Sequence, residues 1–210
     1  MNNLPNLLKY EILRGLPGTE VQWEMASSDR MIRHFPRVPG PDAKVAAVLI
    51  LLYPDNGSVY TVFMQRHNYD GVHGGQISFP GGKKEPADSD VIQTALREAA
   101  EETGADPSGI SVIGTLTPLF IPVSNMIVTP VVGWTKKRPE FIHQPEEVVF
   151  LIEAELKRFL DPSIIKIKPF EIRGEMLDVK YFDYKGNVIW GATAMILNEL
   201  LYITNKLTYG

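Results

Sequence analysis

The segment from Gly81 to Gly104, GGKKEPADSDVIQTALREAAEETG, constrains this chain more than any other. Its centre is the run Arg97-Glu98-Ala99-Ala100-Glu101-Glu102-Thr103-Gly104. Gln93, Ala95, Leu96, Ala99 and Ala100 favour a helix, and Gly104 supplies its stop. On such a helix Glu98, Glu101 and Glu102 stand at i, i+3 and i+4 and share one face. Carboxylates that close repel one another by on the order of a few tenths of a kcal/mol per exposed pair. Arg97, four residues before Glu101, cancels only part of that charge. A divalent cation completes the balance, because hard ions such as Mg²⁺ take oxygen ligands. A solvated acidic helix face would carry the same pattern. What separates the two readings is the stretch ahead of the helix. Phe79-Pro80-Gly81-Gly82 is a turn with two glycines, which lets backbone approach a ligand or metal closely. A strand, a glycine turn and an acid-bearing helix in succession imply a site for phosphate and metal.

From Arg97 to Ala105 the chain resembles the second half of the Nudix hydrolase signature, Arg-Glu-apolar-x-Glu-Glu-x-Gly-apolar, at every position. The first half of that signature is a glycine, five residues, a glutamate and seven residues before the arginine. Here the chain departs from it. Counting back eight from Arg97 reaches Ser89 instead of Glu, and the interval from Gly82 to Arg97 is one residue too long. Asp88 and Asp90 flank the gap. This form of the box resembles the coenzyme A pyrophosphatase branch of the family. Arg66 followed by GQISFPGG, from Gly75 to Gly82, resembles that branch's coenzyme A motif, although its second basic residue would fall at Gly71. The stretches 116–125 and 128–133 resemble the strands after the box, and 190–194 the start of the last helix.

The resemblance implies an α+β fold, the Nudix fold, in which a mixed β-sheet lies between helices as an α/β/α sandwich. It implies hydrolysis of a diphosphate bond with Mg²⁺ or Mn²⁺ as cofactor. Glu98, Glu101 and Glu102 are the expected metal ligands, joined by the carbonyl of Gly82. Glu98 or Glu102 would double as general base, with Glu146 and Glu147 as downstream alternatives. Arg97 is expected to orient the glutamates. Arg66, Gln76, Ser78 and Lys83 are the expected substrate contacts, with Arg66 either binding a phosphate or pairing with an acid of the box. Lys84, His67, His73, Ser124 and Asn125 are further polar residues near this region. The implied substrate is a small nucleotide, coenzyme A or a derivative cleaved to 3′,5′-ADP and 4′-phosphopantetheine. The alternatives are ADP-ribose, dinucleotide or oxidised-nucleotide hydrolysis, or a nucleotide-sensing module without catalysis.

Composition narrows the setting. Net charge is −4 and no basic run occurs, so neither nucleic acid nor an anionic membrane is an expected partner. A phosphate ligand then needs local Lys, Arg or metal. There is no cysteine, hence no disulfide framework and no thiol chemistry. The N-terminus does not resemble a signal peptide, and the longest apolar run, 45–53, is too short to span a bilayer. A cytoplasmic location is expected, with a homodimer as an assembly open to the chain.

At 210 residues the pattern predicts an N-terminal helical arm and linker over 1–43 and a catalytic domain over 44–210. Within the arm, 4–13 reads as an amphipathic helix, Pro36, Pro39, Gly40 and Pro41 mark a linker, and Trp23 and Met25 pack inward. Strands are expected at 44–53, 59–66, 110–119 and 127–136, and a short one after Glu146 and Glu147. A hairpin turn at 54–57, a short helix at 153–159, a hairpin over 164–184 and a final helix at 192–204 complete the reading. Trp190 is expected in the core.

Overall fold

The computed structural model describes residues 3–26, 38–67, 75–172 and 175–209. Pro36, Gly71, His73 and Gly74 lie outside these. The chain runs α1 (Leu4–Arg14), α2 (Thr19–Trp23), β1 (Lys44–Asp55), β2 (Ser58–Arg66), β3 (Ile77–Ser78) and β4 (Gly81–Lys83) into the acidic helix α3 (Val91–Thr103). Then follow β5 (Ser111–Thr115), β6 (Leu119–Ile121), β7 (Met126–Trp134) and β8 (Val148–Glu155). A second sheet of β9 (Ile165–Ile172), β10 (Glu175–Tyr184) and β11 (Asn187–Trp190) leads into α4 (Gly191–Tyr209).

β1 is the axis of the molecule. Its aliphatic run alternates between two cores: Ala46, Ile50 and Leu52 face one, and Ala47, Leu49, Leu51 and Tyr53 face the other. A strand buried on both sides reads as an unbroken apolar run. It pairs in parallel with β7 on one edge and antiparallel with β2 and β4 on the other. Ala95 and Ala99 of α3 pack into the core of Ala47 and Leu49. Leu197 and Leu200 of α4, with Leu8 of α1, pack into the opposite one. The result is the expected mixed sheet between helices.

Several local expectations shift. Asn56 and Gly57 take φ of 45° and 77°, the two left-handed positions of a tight hairpin turn, so β1 continues to Asp55. Gly81 and Gly82 form a strand against β1, not a free turn. Gly81 has φ 152°, and a Cβ there would fall 2.3 Å from the Ala47 carbonyl, so only glycine allows this approach. The strand expected over 110–119 divides into β5 and β6, with 116–118 between them. The helix expected at 153–159 begins only at Leu156, as a 3₁₀ turn, because Glu153 to Glu155 stay paired with β2. Trp190 is half-buried at the end of β11 and stacks on Phe170 with ring centres 4.8 Å apart; it is not core. In the arm, Met25 is buried but Trp23 is 37% exposed.

Candidate functional site

The acidic helix is framed by its ends. Asp90 caps it by accepting from Gln93 N at 2.9 Å. Gly104 closes it in the left-handed conformation, φ 73°. One face of α3 then looks across β4 into a cleft of about 830 Å³. Glu98, Glu102, Gly82, Arg66, Gln76, Ser78 and Lys83 all line that cleft. Seven of the nine residues read from the sequence as site residues therefore meet in one place. The other two are Arg97 and Glu101, which do not line it.

Glu102 is the most enclosed of the glutamates, at 1% exposure. Gly81 N donates to its Oε2 at 2.7 Å, and Arg66 Nη2 donates to its Oε1 at 3.1 Å. Burial pushes its carboxyl up to about 7, against the pull of Arg66 and Gly81. Burial likewise raises Glu98, with Arg97 opposing. Arg66 also donates to the Gly81 carbonyl at 2.6 Å and to Ser78 Oγ at 3.3 Å. Its aim comes from a register shift between Gln65 and Arg66, opposite β8, and bulges of this kind re-aim side chains beside sites. Of the two fates open to Arg66, the structure shows the pairing with an acid of the box.

Arg97 is the brace of the helix. Its Nε and Nη2 hold Asp88 in a two-point contact, both at 3.0 Å. Its Nη1 reaches Glu98 at 3.1 Å and Glu101 at 3.0 Å, and Nη2 also donates to the Lys83 carbonyl. The Arg97 contact holds the Asp88 carboxyl well below the usual carboxylate range. Asp88 further accepts from Glu85 N and Thr94 Oγ1. It is the site residue that spacing alone missed. The signature acid is absent at Ser89, and the acid beside Arg97 is Asp88, one place earlier in a segment one residue longer. That extra residue was the available signal.

Glu101 turns to Arg97 and its side chain stays 59% exposed. Among the described residues no three His, Cys, Asp or Glu side chains converge closely enough to enclose an ion. The three glutamates thus share a helix face without gathering about one point. The chemistry still fits a divalent cation between Glu98 and Glu102. Both carboxylates are raised by burial, a shortage of positive charge that an ion would relieve. Gly82 forms a cradle, since a Cβ there would fall 2.5 Å from the Glu98 carboxylate oxygens.

The remaining polar residues divide. Glu147 lines the cleft and Glu146 does not. Lys84 lines it while donating through Nζ to the Asp88 carbonyl. His67 donates to the Pro145 carbonyl at 2.8 Å and is not among the lining residues. Ser124 lines the cleft, whereas Asn125, φ 48°, caps a turn and donates to Asp42. Sequence reading gave no hint of the apolar part of the lining, which includes Ile121, Met126, Val128 and Ile196.

A model of the NUDIX domain family matches residues 43–182. Nudix hydrolase 22 of Arabidopsis thaliana, described as chloroplastic, is 40% identical over 161 residues, covering 73% of this chain and 53% of its own length. The chain thus spans about half the length of that plant relative. NudL of Yersinia pestis, described as an uncharacterized Nudix hydrolase, is 32% identical over 182 residues, covering 85% of this chain and 88% of its own. The crystal structure of the Nudix hydrolase RenU from M. smegmatis aligns with a TM-score of 0.55 at 16% identity, over 79% of this chain and 88% of that one, and speaks for the fold alone. With the NUDIX match running from the start of β1 into β10 and the NudL likeness covering most of both proteins, the chain belongs to the Nudix hydrolase family.

Proposed function

We propose that the chain is a Mg²⁺- or Mn²⁺-dependent pyrophosphohydrolase acting on nucleoside diphosphate derivatives, with coenzyme A and its derivatives as the preferred class. The carrying observation is the pair of carboxylates, half-buried Glu98 and buried Glu102, lining the cleft beside the Gly82 cradle. When bound, the ion would neutralise charge on the non-bridging phosphate oxygens and acidify the attacking water. In this reading Glu98 and Glu102 hold it, with Gly82 alongside; Glu101, the third expected ligand, would first have to leave Arg97. Arg97, anchored by Asp88, keeps Glu98 and Glu101 oriented. Water adds to one phosphorus, the bond from that phosphorus to the bridging oxygen breaks, and the bridging oxygen leaves with the other phosphate. The water proton passes to a cleft carboxylate. Glu98 and Glu102 are the candidates on the helix for that task, and Glu147 is the other candidate lining the cleft. Arg66, Lys83, Gln76 and Ser78 are the proposed phosphate and substrate contacts. Arg66 would exchange its contact with Glu102 for one with phosphate, which its forked donors suit.

A second reading keeps the chemistry and changes the substrate to ADP-ribose or a dinucleotide. Gly71, where the coenzyme A motif would carry a second basic residue, favours it. The non-catalytic module rests on the missing acid at Ser89; the Asp88–Arg97 contact, which puts an acid beside that arginine, weighs against it. The location and assembly in this proposal are cytoplasmic and, where association occurs, homodimeric. No described helix is long and apolar enough to cross a membrane. Cell fractionation and sedimentation test these points.

The functional test is turnover of coenzyme A, ADP-ribose and NADH at alkaline pH with Mg²⁺ or Mn²⁺, read through a coupled phosphatase. Coenzyme A is expected to be cleaved fastest. Glu102→Gln is expected to lower kcat by on the order of 10²–10³-fold. Faster cleavage of ADP-ribose or NADH moves the substrate; no cleavage of any with either metal removes the hydrolase reading.

A further inference from the structure

Among the described residues, four cationic side chains line the cleft: Lys44, Arg66, Lys83 and Lys84. Two of them are engaged. Arg66 pairs with Glu102, and Lys84 donates through Nζ to the Asp88 carbonyl. Lys44 and Lys83 are exposed, and among the described residues their Nζ atoms have no hydrogen-bond or ion-pair partner. The sheet sets both on one face. Lys44, Ala46 and Val48 alternate along the cleft side of β1, and Lys83 of β4 stands opposite Ala46. Lys44 and Lys83 are therefore diagonal neighbours on that face, about 7–8 Å apart between backbones. On the other edge of β1, Lys44 N donates to the Asn125 carbonyl at 2.9 Å, which brings the turn 122–125 alongside. Ser124 of that turn lines the cleft, and its hydroxyl makes a long 3.5 Å contact with the Ile121 carbonyl.

The neighbouring acids are held elsewhere or stand apart. Asp42 accepts from Asn125 Nδ2 at 3.1 Å. Glu98 pairs with Arg97. Glu85 lines the cleft but forms no ion pair with either lysine. Two ammonium groups on one face, neither with a paired acid, make this corner the reverse of the carboxylate end. Low-dielectric cleft walls focus such a field on an anion. A phosphate monoester, with close to two charges and three acceptor oxygens, matches two point-charge donors and a hydroxyl. The corner also lies away from the carboxylates. Gly81 and Gly82, beside Glu102 and Glu98, pair with Val48 and Ala47. Lys44 is three to four residues further along β1, about 10–13 Å between backbones at the rise of a strand. A diphosphate held at the carboxylates leaves the corner to a further phosphate on the same molecule.

We propose that Lys44, Lys83 and Ser124 form a subsite for a phosphate monoester carried on the ribose of the substrate, apart from the diphosphate that is cleaved. The subsite rests on the hydrolase reading and deepens it, because it selects nucleotides with a third phosphate group. That group is a 3′-phosphate on coenzyme A and a 2′-phosphate on NADPH; ADP-ribose and NADH carry neither.

The experiment compares ligands that differ by that one phosphate: 3′,5′-ADP with AMP, coenzyme A with dephospho-coenzyme A, and NADPH with NADH. Affinity for 3′,5′-ADP and AMP is measured by calorimetry in metal-free buffer, and kcat/KM for the two substrate pairs with Mn²⁺. The unaltered protein is expected to favour the extra phosphate by roughly fivefold to tenfold at low salt, since exposed ion pairs are individually weak. High salt should shrink the ratio. Lys44→Ala and Lys83→Ala are each expected to cut it by about twofold to fourfold, and Lys44→Glu to bring it to one or below. Both lysines are exposed, so these substitutions remove no packed side chain. A ratio raised only for 3′,5′-ADP and coenzyme A assigns the corner to a 3′-phosphate, and one raised only for NADPH to a 2′-phosphate. Ratios near one in the unaltered protein overturn the subsite, as do ratios that the lysine variants leave intact. A calorimetric preference without turnover of any substrate removes the hydrolase reading and keeps the subsite. Turnover with no preference in either readout does the reverse.

Discussion

Glu199 on α4 and Glu102 on α3 are both closed off from solvent, at 0% and 1% exposure, yet their surroundings differ in kind. Glu199 accepts from Gln22 Nε2 at 2.8 Å, Thr117 N at 3.2 Å, Thr117 Oγ1 at 2.5 Å and Gly18 N at 3.4 Å. Those donors come from the arm and from the segment before β6, so one carboxylate ties α2, α4 and the sheet together. Glu102 has the Gly81 amide and Arg66, and its neighbours Glu98 and Glu147 push its carboxyl upward in addition to burial. A buried carboxylate ringed by donors stabilises a fold; one left short of donors beside other acids costs stability and is available for function. The arm is held by the first kind, and the candidate site is built on the second.

The strongest challenge to this contrast is Glu199→Ala. It leaves the Thr117 amide and the Gln22 side chain short of partners and opens a cavity, so a loss of about 3–5 kcal/mol is expected in urea unfolding. A loss below about 1 kcal/mol would show that the two carboxylates are not opposites.

Glu102 should behave with the reverse sign in the metal-free protein. Its folded carboxyl, near 7, binds a proton more tightly than its ordinary value of 4.5 allows in the unfolded chain. That contribution is fully present below about 4.5 and is lost as pH rises through about 7. Stability of the metal-free protein should therefore carry a falling component across that window, worth up to about 3 kcal/mol. Glu102→Gln should remove the component, and thermal melts from pH 4.5 to 8 measure it. An unchanged pH profile in the variant would place the proton elsewhere.

Glu101 sharpens the comparison as an exposed reference. Its contact with Arg97 lies in water, so Glu101→Gln should shift stability by less than about 0.5 kcal/mol. A larger change, read by the same unfolding assay, would give Arg97 more dependence on Glu101 than on Asp88.

Much of the site was legible because its signals are local. The spacing of Glu98, Glu101 and Glu102 and the stop at Gly104 each depend on residues within a turn of one another. Ile77 is buried, while Gln76 and Ser78 line the cleft, as alternation requires. Glycine was read as loop at Gly81 and Gly82, and the missed strand there follows from a partner, β1, more than thirty residues away. Arg66 was left between two fates because its register shift depends on β8, far along the chain.

The amino-acid sequence by itself determined the acidic helix, its stop at Gly104, the apolar run of β1 and the family resemblance, since periodicity and signature spacing are properties of neighbours along the chain. Only the tertiary structure decided that Asp88 braces Arg97, and that Glu101 turns outward while Glu102 is buried. Those outcomes depend on burial and on hydrogen bonds between distant segments, such as Arg66 to Glu102 and Gln22 to Glu199. The energy of a carboxylate follows the donors packed around it, and those donors are assembled only when the chain folds.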